Sequence, residues 1–246
     1  MGEVLISVCM TTYNGERYVA EQVQSILASP LVGELLVSDD GSTDRTLEVL
    51  RGIDDSRLRL LEGPRRGLVR NFESVLGLAR GEYIFLSDQD DVWLPGKVET
   101  LLGYLKHADL VVSDCAVVDS QLKTLQPSFF ATRGSGPGLW RNLLRNSYIG
   151  CCMALRRDFL LAHALPFPAE TPMHDWWLGL VAEMFGRTAF APERLTLYRR
   201  HGSNASTTAE QKSRARWFQQ FHWRWRLGSS LLALKVRPHQ HPNANT

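Results

Sequence analysis

A chain of 246 residues with 44% hydrophobic content has enough apolar material for one large core or two small ones, which excludes a wholly disordered chain. The formal net charge is only +2, yet seven of the 28 Lys and Arg residues follow Glu210, and no acidic residue does. A net acidic body with a basic tail argues against a protein that coats nucleic acid and for one localised basic contact.

The four cysteines lack a Cys-x-x-Cys spacing, and vicinal Cys151 and Cys152 are poorly placed to pair with each other, so buried thiols in a reducing compartment are expected. The N-terminus runs straight into a strand-like segment without the pattern of an export signal, and no apolar run is long enough to span a bilayer.

In chain order, Val4 to Met10 predicts a first strand, followed by the turn Thr11–Gly15 and a helix from Arg17 to Leu27, stopped at Ser29-Pro30. Glu34 to Ser38 predicts a second strand, Thr46 to Arg51 a helix, Leu58 to Leu61 a third strand and Val69 to Ala79 a helix. Tyr83 to Leu86 is a fourth strand, then come a helix over Pro95–Leu105 and a strand over Leu110–Ser113. This alternation predicts an α/β fold with a largely parallel sheet. Residues 126–147, rich in Gly, Pro, Ser and Arg, read as a mobile loop over the site. Gly150–Leu155 is apolar, Asp158–Ala164 a short helix, His174 opens an apolar helix through Met184, and Leu195–Tyr198 is strand-like.

Ligands of open parallel sheets bind beyond the carboxyl ends of the strands, where three polar loops fall: Thr11–Asn14, Asp39–Asp44 and Asp88–Asp91. In Ser87-Asp88-Gln89-Asp90-Asp91 three carboxylates crowd one strand end. Such a cluster is either a solvated acidic turn or a trap for a hard cation, Mg²⁺ or Mn²⁺, that completes its shell with phosphate oxygens. Asp39 and Asp40 can accept a pyrimidine ring N–H, while Ser42 or Asp44 can equally be a helix cap. Thr11, Thr12 and Asn14 offer contacts to the same base and Tyr13 a ring for stacking. Arg65, Arg66 and Arg70 are either diphosphate ligands or solvated surface residues, and Arg70, at the start of a helix, is favoured. Neither the dinucleotide glycine fingerprint nor the ATPase phosphate loop is present.

Thr-Thr-Tyr-Asn-Gly, Ser-Asp-Asp-Gly-Ser-Thr-Asp and Ser-Asp-Gln-Asp-Asp occur in the order and spacing of family 2 glycosyltransferases, which residues 4–205 resemble. The resemblance implies a GT-A fold, a nucleotide-sugar donor, a divalent cation and inversion at the anomeric carbon. It also implies base contacts from Thr12, Tyr13 and Asp39 and a cation site at Asp88 and Asp90, with Asp90-Asp91 as the alternative pair. The family's downstream carboxylate base falls on Asp175 in Met173-His174-Asp175-Trp176-Trp177, a position that can also be an N-cap. Trp176 and Trp177 are acceptor platforms or core residues, and His201 either reaches the cation and diphosphate or is a solvated loop residue.

Ser-Asp-Gln-Asp-Asp-Val-Trp, His-Asp-Trp-Trp and Tyr-Arg-Arg-His-Gly look like the rhamnosyltransferase branch, implying dTDP-L-rhamnose as donor and a lipid-linked saccharide as acceptor, with a UDP-hexose the alternative donor. Residues 1–205 then form the transfer domain, 1–115 binding the donor and 116–205 the acceptor. Residues 206–246 form a tail whose arginines and tryptophans over 212–237 suit an anionic bilayer surface. Packing of the tail on the body is the alternative, and no nucleic acid partner is expected. The chain is thus expected in the cytoplasm, peripheral on the inner face of the membrane. A phosphotransferase is disfavoured because the first loop lacks an aspartate nucleophile, and a non-catalytic binding module would not need Asp175.

Overall fold

The computed structural model describes residues 5–201 and the helix over residues 214–236. Its centre is β1 (Ile6–Thr12), buried along its whole length because parallel neighbours flank it, β2 (Glu34–Asp39) and β4 (Tyr83–Ser87). β3 (Leu58–Glu62) extends the parallel set beyond β2. Side chains alternate across this sheet. Cys9 and Leu36 face α3 (Leu68–Leu78), whereas Val8, Met10 and Val37 face α1 (Val19–Leu27). The short α2 (Thr46–Arg51) links β2 to β3.

Beyond β4 the sheet becomes mixed. β5 (Val92–Trp93), α4 (Lys97–Leu105), β6 (Leu110–Val118) and β7 (Thr124–Gln126) come next in the chain. α5 (Phe129–Arg133), α6 (Leu139–Leu144) and β8 (Met153–Arg156) follow, and β8 inserts antiparallel between β4 and β6. β9 (Thr188–Arg199) runs parallel to β6 and antiparallel to β5, with Val92 opposite Leu197. Because β5 directly follows the acidic run, this pairing delivers residues 199–201 onto Asp90 and Asp91.

The segment read as a mobile loop, 126–147, is instead built and anchored. Its Ser and Gly residues work as caps: Ser128 accepts from the Ala131 N–H at the start of α5, and Gly134 ends that helix at φ 65°. Two carboxylates suspend it. Asp114 accepts from Ser128 Oγ at 2.6 Å and Phe130 N at 2.8 Å, and Glu183 accepts from Gly138 N and Tyr148 Oη, both at 2.8 Å. The helix expected over Asp158–Ala164 forms as α7 (Arg157–Phe159), continued by a wider turn over Leu160–Ala164.

α8 (His174–Phe185) packs through Trp177 into the main core, and α9 (Arg214–Val236) lies against α6 and α8. Leu227 and Leu231 of α9 are buried, while Phe221, Trp225 and Leu232 share a separate stripe and are exposed. The tail's residues 206–213 and 237–246, together with the side chains of Arg214, Arg216, Trp217 and Phe218, lie outside the described residues. All four cysteines are free and buried, as expected.

Candidate active site

The loops that leave the parallel strands are tied to one another by side chains bonding to backbone. Asn14, at φ 50°, accepts from Thr43 N at 2.8 Å through Oδ1 and donates its own N–H to Ser42 Oγ at 2.9 Å. Asp39 accepts from Thr12 Oγ1, Gly41 N, Ser42 N and Ser42 Oγ, so both its oxygens are engaged inside the loops. Asp40 reaches the loop after β3, accepting from Gly67 N at 2.7 Å and Arg66 N at 3.3 Å. Gln89 closes the ring as a two-way clamp on Tyr13, accepting from its N–H at 2.9 Å and donating to its carbonyl at 3.1 Å.

These loops form one wall of a cleft of about 910 Å³, within the range that encloses cofactor-sized ligands. Thr11, Thr12, Tyr13, Asp40, Asp88, Asp90 and Asp175 all line it, so the structure brings together residues drawn from four segments of the sequence. Asn14 and Asp39 sit behind that wall and organise it.

Two expectations are corrected. Arg70 is turned from the cleft: its guanidinium pairs with Glu73 and donates to the carbonyls of Phe167, Pro168 and Ala169, fastening α3 to the 167–169 turn. Trp176 and Trp177 are not acceptor platforms but core residues, 8% and 0% exposed. Their indole N–H groups donate to the Asn142 and Ala164 carbonyls at 2.8 and 2.9 Å. A buried indole needs a partner for its N–H, and packing on α6 and on the turn after α7 supplies one.

The acidic run divides by direction. Asp88 and Asp90 face the cleft, and Asp90 Oδ2 lies 2.8 Å from His201 Nε2, whose ring is set against Tyr18. Asp91 points inward, fully buried, with Oδ1 accepting from Arg199 N at 2.9 Å and Oδ2 unpartnered among the described residues. Asp88, Asp91 and Cys151 bring donor atoms within 4.8 Å of one another. Burial, then the charges of Asp90 and Asp175, pushes the Asp88 carboxyl up to about 8. Burial likewise raises Asp90, against its bond to His201, and raises Asp91 well above the usual carboxylate range. Crowded carboxylates, two of them facing the cleft, form a hard oxygen donor set that fits a divalent cation, which would supply the missing positive charge.

Asp175 lies in the first turn of α8, whose N-cap is Met173, so the N-cap alternative does not hold. Its Oδ1 accepts from the Trp176 N–H at 2.6 Å. Burial lifts its carboxyl to about 6 against the backbone N–H groups of Trp176 and Gly150. His174 beside it stacks on Phe72 at 3.8 Å, and burial lowers its imidazole to about 3, leaving it neutral.

Sequence reasoning missed the props. Arg199 donates to the Asp90 carbonyl at 2.7 Å and to the Ser120 carbonyl at 3.0 Å, pairs with Glu21 and covers the Tyr18 ring. Buried Lys97 donates to the Cys151 carbonyl at 2.7 Å and Thr196 Oγ1 at 2.8 Å beneath the acids. The signal for Arg199 lies in Tyr-Arg-Arg-His-Gly, two residues before the histidine.

A curled, mostly parallel sheet whose strand-end loops carry paired carboxylates defines a GT-A fold. The sequence profile of glycosyl transferase family 2 matches residues 7–162, and the chain belongs to that family. It is 27% identical over 230 residues to an uncharacterized glycosyltransferase of Haemophilus influenzae, covering 82% of this chain and 68% of that one. It is 26% identical over 181 residues to the Escherichia coli UDP-Glc:alpha-D-GlcNAc-diphosphoundecaprenol beta-1,3-glucosyltransferase WfgD, covering 72% of this chain and 70% of that protein. The fold matches Staphylococcus aureus TarS 1-349 in complex with UDP-GlcNAc, with a TM-score of 0.68 and 16% identity over 96% of this chain and 68% of that one. It also matches the Pyrobaculum calidifontis mannosyltransferase PcManGT in complex with GDP-Man and Mn²⁺, with a TM-score of 0.60 and 18% identity over 96% and 76% of the two chains.

Proposed function

We propose that this chain moves a sugar from a nucleoside diphosphate to a saccharide hydroxyl with inversion, using Asp175 as the base. The observation that carries the reading is the meeting of Asp88, Asp90 and Asp175 with the interlocked strand-end loops in one cleft. Thr11, Thr12, Tyr13 and Asp40 take the nucleotide, and Asp39 reaches a base by exchanging its bond from the Ser42 hydroxyl for a ring N–H. Asp88 and Asp90, with His201, would hold Mg²⁺ or Mn²⁺, which would supply positive charge to the leaving diphosphate. Asp91, sealed beneath, orients that loop through Arg199. The acceptor oxygen attacks the anomeric carbon as its proton passes to the Asp175 carboxylate, and the bond to the diphosphate breaks on the opposite face.

For the donor, dTDP-L-rhamnose rests on the sequence forms around Asp88–Asp91, His174–Trp177 and Tyr198–Gly202. The second reading, a UDP-hexose, is favoured by the UDP-glucose in WfgD's name and the UDP-GlcNAc bound to TarS. Thermal shifts with dTDP-L-rhamnose, UDP-glucose and UDP-GlcNAc, each with and without Mn²⁺, decide between them, because a ligand of the folded state raises stability by mass action. A metal-dependent shift with one donor selects it, and no shift with any sinks the donor assignment.

WfgD's acceptor, a diphosphoundecaprenol, supports a lipid-linked acceptor and peripheral membrane contact here. No helix among the described residues is long and apolar enough to cross a membrane. The exposed stripe Phe221, Trp225 and Leu232, next to Arg224 and Arg226, suits an anionic surface on the cytoplasmic face. Residues 1–205 would then act as the transfer domain and residues 206–246 as its membrane contact. Co-sedimentation with vesicles containing phosphatidylglycerol should be lost in Phe221→Ser/Trp225→Ser, and equal binding by this variant would remove that role.

A further inference from the structure

Three arginines that no part of the proposed chemistry uses converge on the cleft from separate elements. Arg133 ends α5, Arg145 follows α6, and Arg200 follows β9. Among the described residues none of them makes an ion pair with a carboxylate. Arg133 is fixed by its Nε–H, which donates to the Asn146 carbonyl at 3.2 Å, leaving the rest of its fork free to meet a ligand. Burial and the like charges of Arg145 and Arg200 hold its guanidinium below the usual value, so the three stand close enough to repel.

Arg133 and Arg145 come from the wall of the cleft formed by residues 126–150, and Arg200 follows β9 beside His201. The cations that act on Asp88 and Asp90 are Lys97, His201 and Arg199. Residues 145–150 lead instead to Gly150, which packs against Asp175 so closely that a Cβ there would lie 3.6 Å from the Asp175 Cβ, so this wall flanks the base. An in-line displacement puts the attacking hydroxyl on the base side and the leaving diphosphate on the other. Guanidinium forks match phosphate oxygens bidentately, and three uncompensated ones crowded in a cleft are stabilised by a multiply charged anion.

We propose that Arg133, Arg145 and Arg200 form a subsite for a phosphate or diphosphate carried by the acceptor. This deepens the transferase reading and rests on it: the acceptor is an anionic, phosphorylated saccharide, held by its phosphate while its hydroxyl faces Asp175.

The test is calorimetric titration of inorganic pyrophosphate into the full chain with Mg²⁺, first alone and then saturated with UDP or dTDP, in the native protein and in Arg133→Gln/Arg145→Gln. The expected result is that pyrophosphate still binds the nucleotide-saturated native protein. The double variant should weaken this binding by at least about tenfold, the loss expected for charge-assisted hydrogen bonds, while nucleotide affinity changes less than about twofold. Arg133→Lys/Arg145→Lys, which keeps the charge, should retain part of the binding and controls for misfolding. If nucleotide saturation abolishes pyrophosphate binding and the double variant weakens the nucleotide instead, the arginines grip the donor's diphosphate and the proposal is overturned. Unchanged affinities for both ligands overturn it as well. If neither nucleotide binds the native protein, the transferase reading fails, while the pyrophosphate arm still decides whether the arginines hold an anion.

Discussion

The two walls of the cleft are built on opposite principles. On the donor wall the loops after β1, β2, β3 and β4 are fastened to one another through Asn14, Asp39, Asp40 and Gln89, each bonding to a neighbouring loop. On the other wall, residues 126–150 hang from Asp114 and Glu183 at their edges, while the arginines they present keep unneutralised charge. The first wall is organised before any ligand arrives, which lowers the ordering cost of binding a nucleotide of fixed shape. The second keeps unneutralised charge, which an anionic ligand would complete if the proposed subsite holds.

Asp175 stands where the walls meet, so changing it should give the largest effect and separate binding from chemistry. Asp175→Asn keeps the shape but cannot take a proton; transfer should fall by about 10²- to 10⁴-fold with nucleotide affinity preserved. Turnover and nucleotide titration on the same preparation check this, and undiminished turnover would remove Asp175 as base. The native enzyme should show the same dependence in pH. Burial raises this carboxyl to about 6; below that value it is protonated and cannot accept, so kcat/KM should fall as pH drops through about 6 and level off above. A flat profile from pH 5 to 8 would place the proton elsewhere.

The next effect concerns the scaffold behind the second wall. Trp177 is fully buried with its N–H satisfied, and Trp177→Ala should cost about 3–5 kcal/mol in denaturant unfolding. Trp140 on neighbouring α6 is 74% exposed, and Trp140→Ala should stay within about 0.5 kcal/mol. Comparable losses would mean that the packing of α6 and α8 is not as described.

The donor wall was legible in the sequence because its work is local. Polar loops directly after apolar strands announce themselves, and parallel pairing alone gathers them at one end of the sheet. Thr46–Arg51 forms the helix expected of it, residue for residue. The second wall was not legible, because its residues act through long-range partners. Ser128 and Gly134 look like loop residues until Asp114 and the helix between them are seen. Arg70 looks like a diphosphate ligand until the carbonyls of residues 167–169 arrive beside it. Trp176 and Trp177 follow a candidate base in sequence, but the helical turn rotates them into the core. Asp90 and Asp91 could not be told apart either, since their opposite directions depend on β9 pairing with β5.

The smallest effect probes whether the donor wall is truly prearranged. A Cβ added at Gly15 would fall 2.2 Å from Gln89 Oε1, a contact only the glycine permits while Gln89 clamps Tyr13. Gln89 is flexible, so Gly15→Ala should swing it aside rather than unfold the loop, giving up both bonds to the Tyr13 backbone. The expected loss is about 1–2 kcal/mol in nucleotide affinity, with Gln89→Ala costing the same. If both act through the clamp, the double variant Gly15→Ala/Gln89→Ala should bind no worse than Gln89→Ala alone, a coupling that a double-mutant cycle reads directly. Additive losses would mean that Gly15 and Gln89 support the wall separately, and the contrast between a prearranged donor side and a ligand-completed acceptor side would weaken at its best-defined contact.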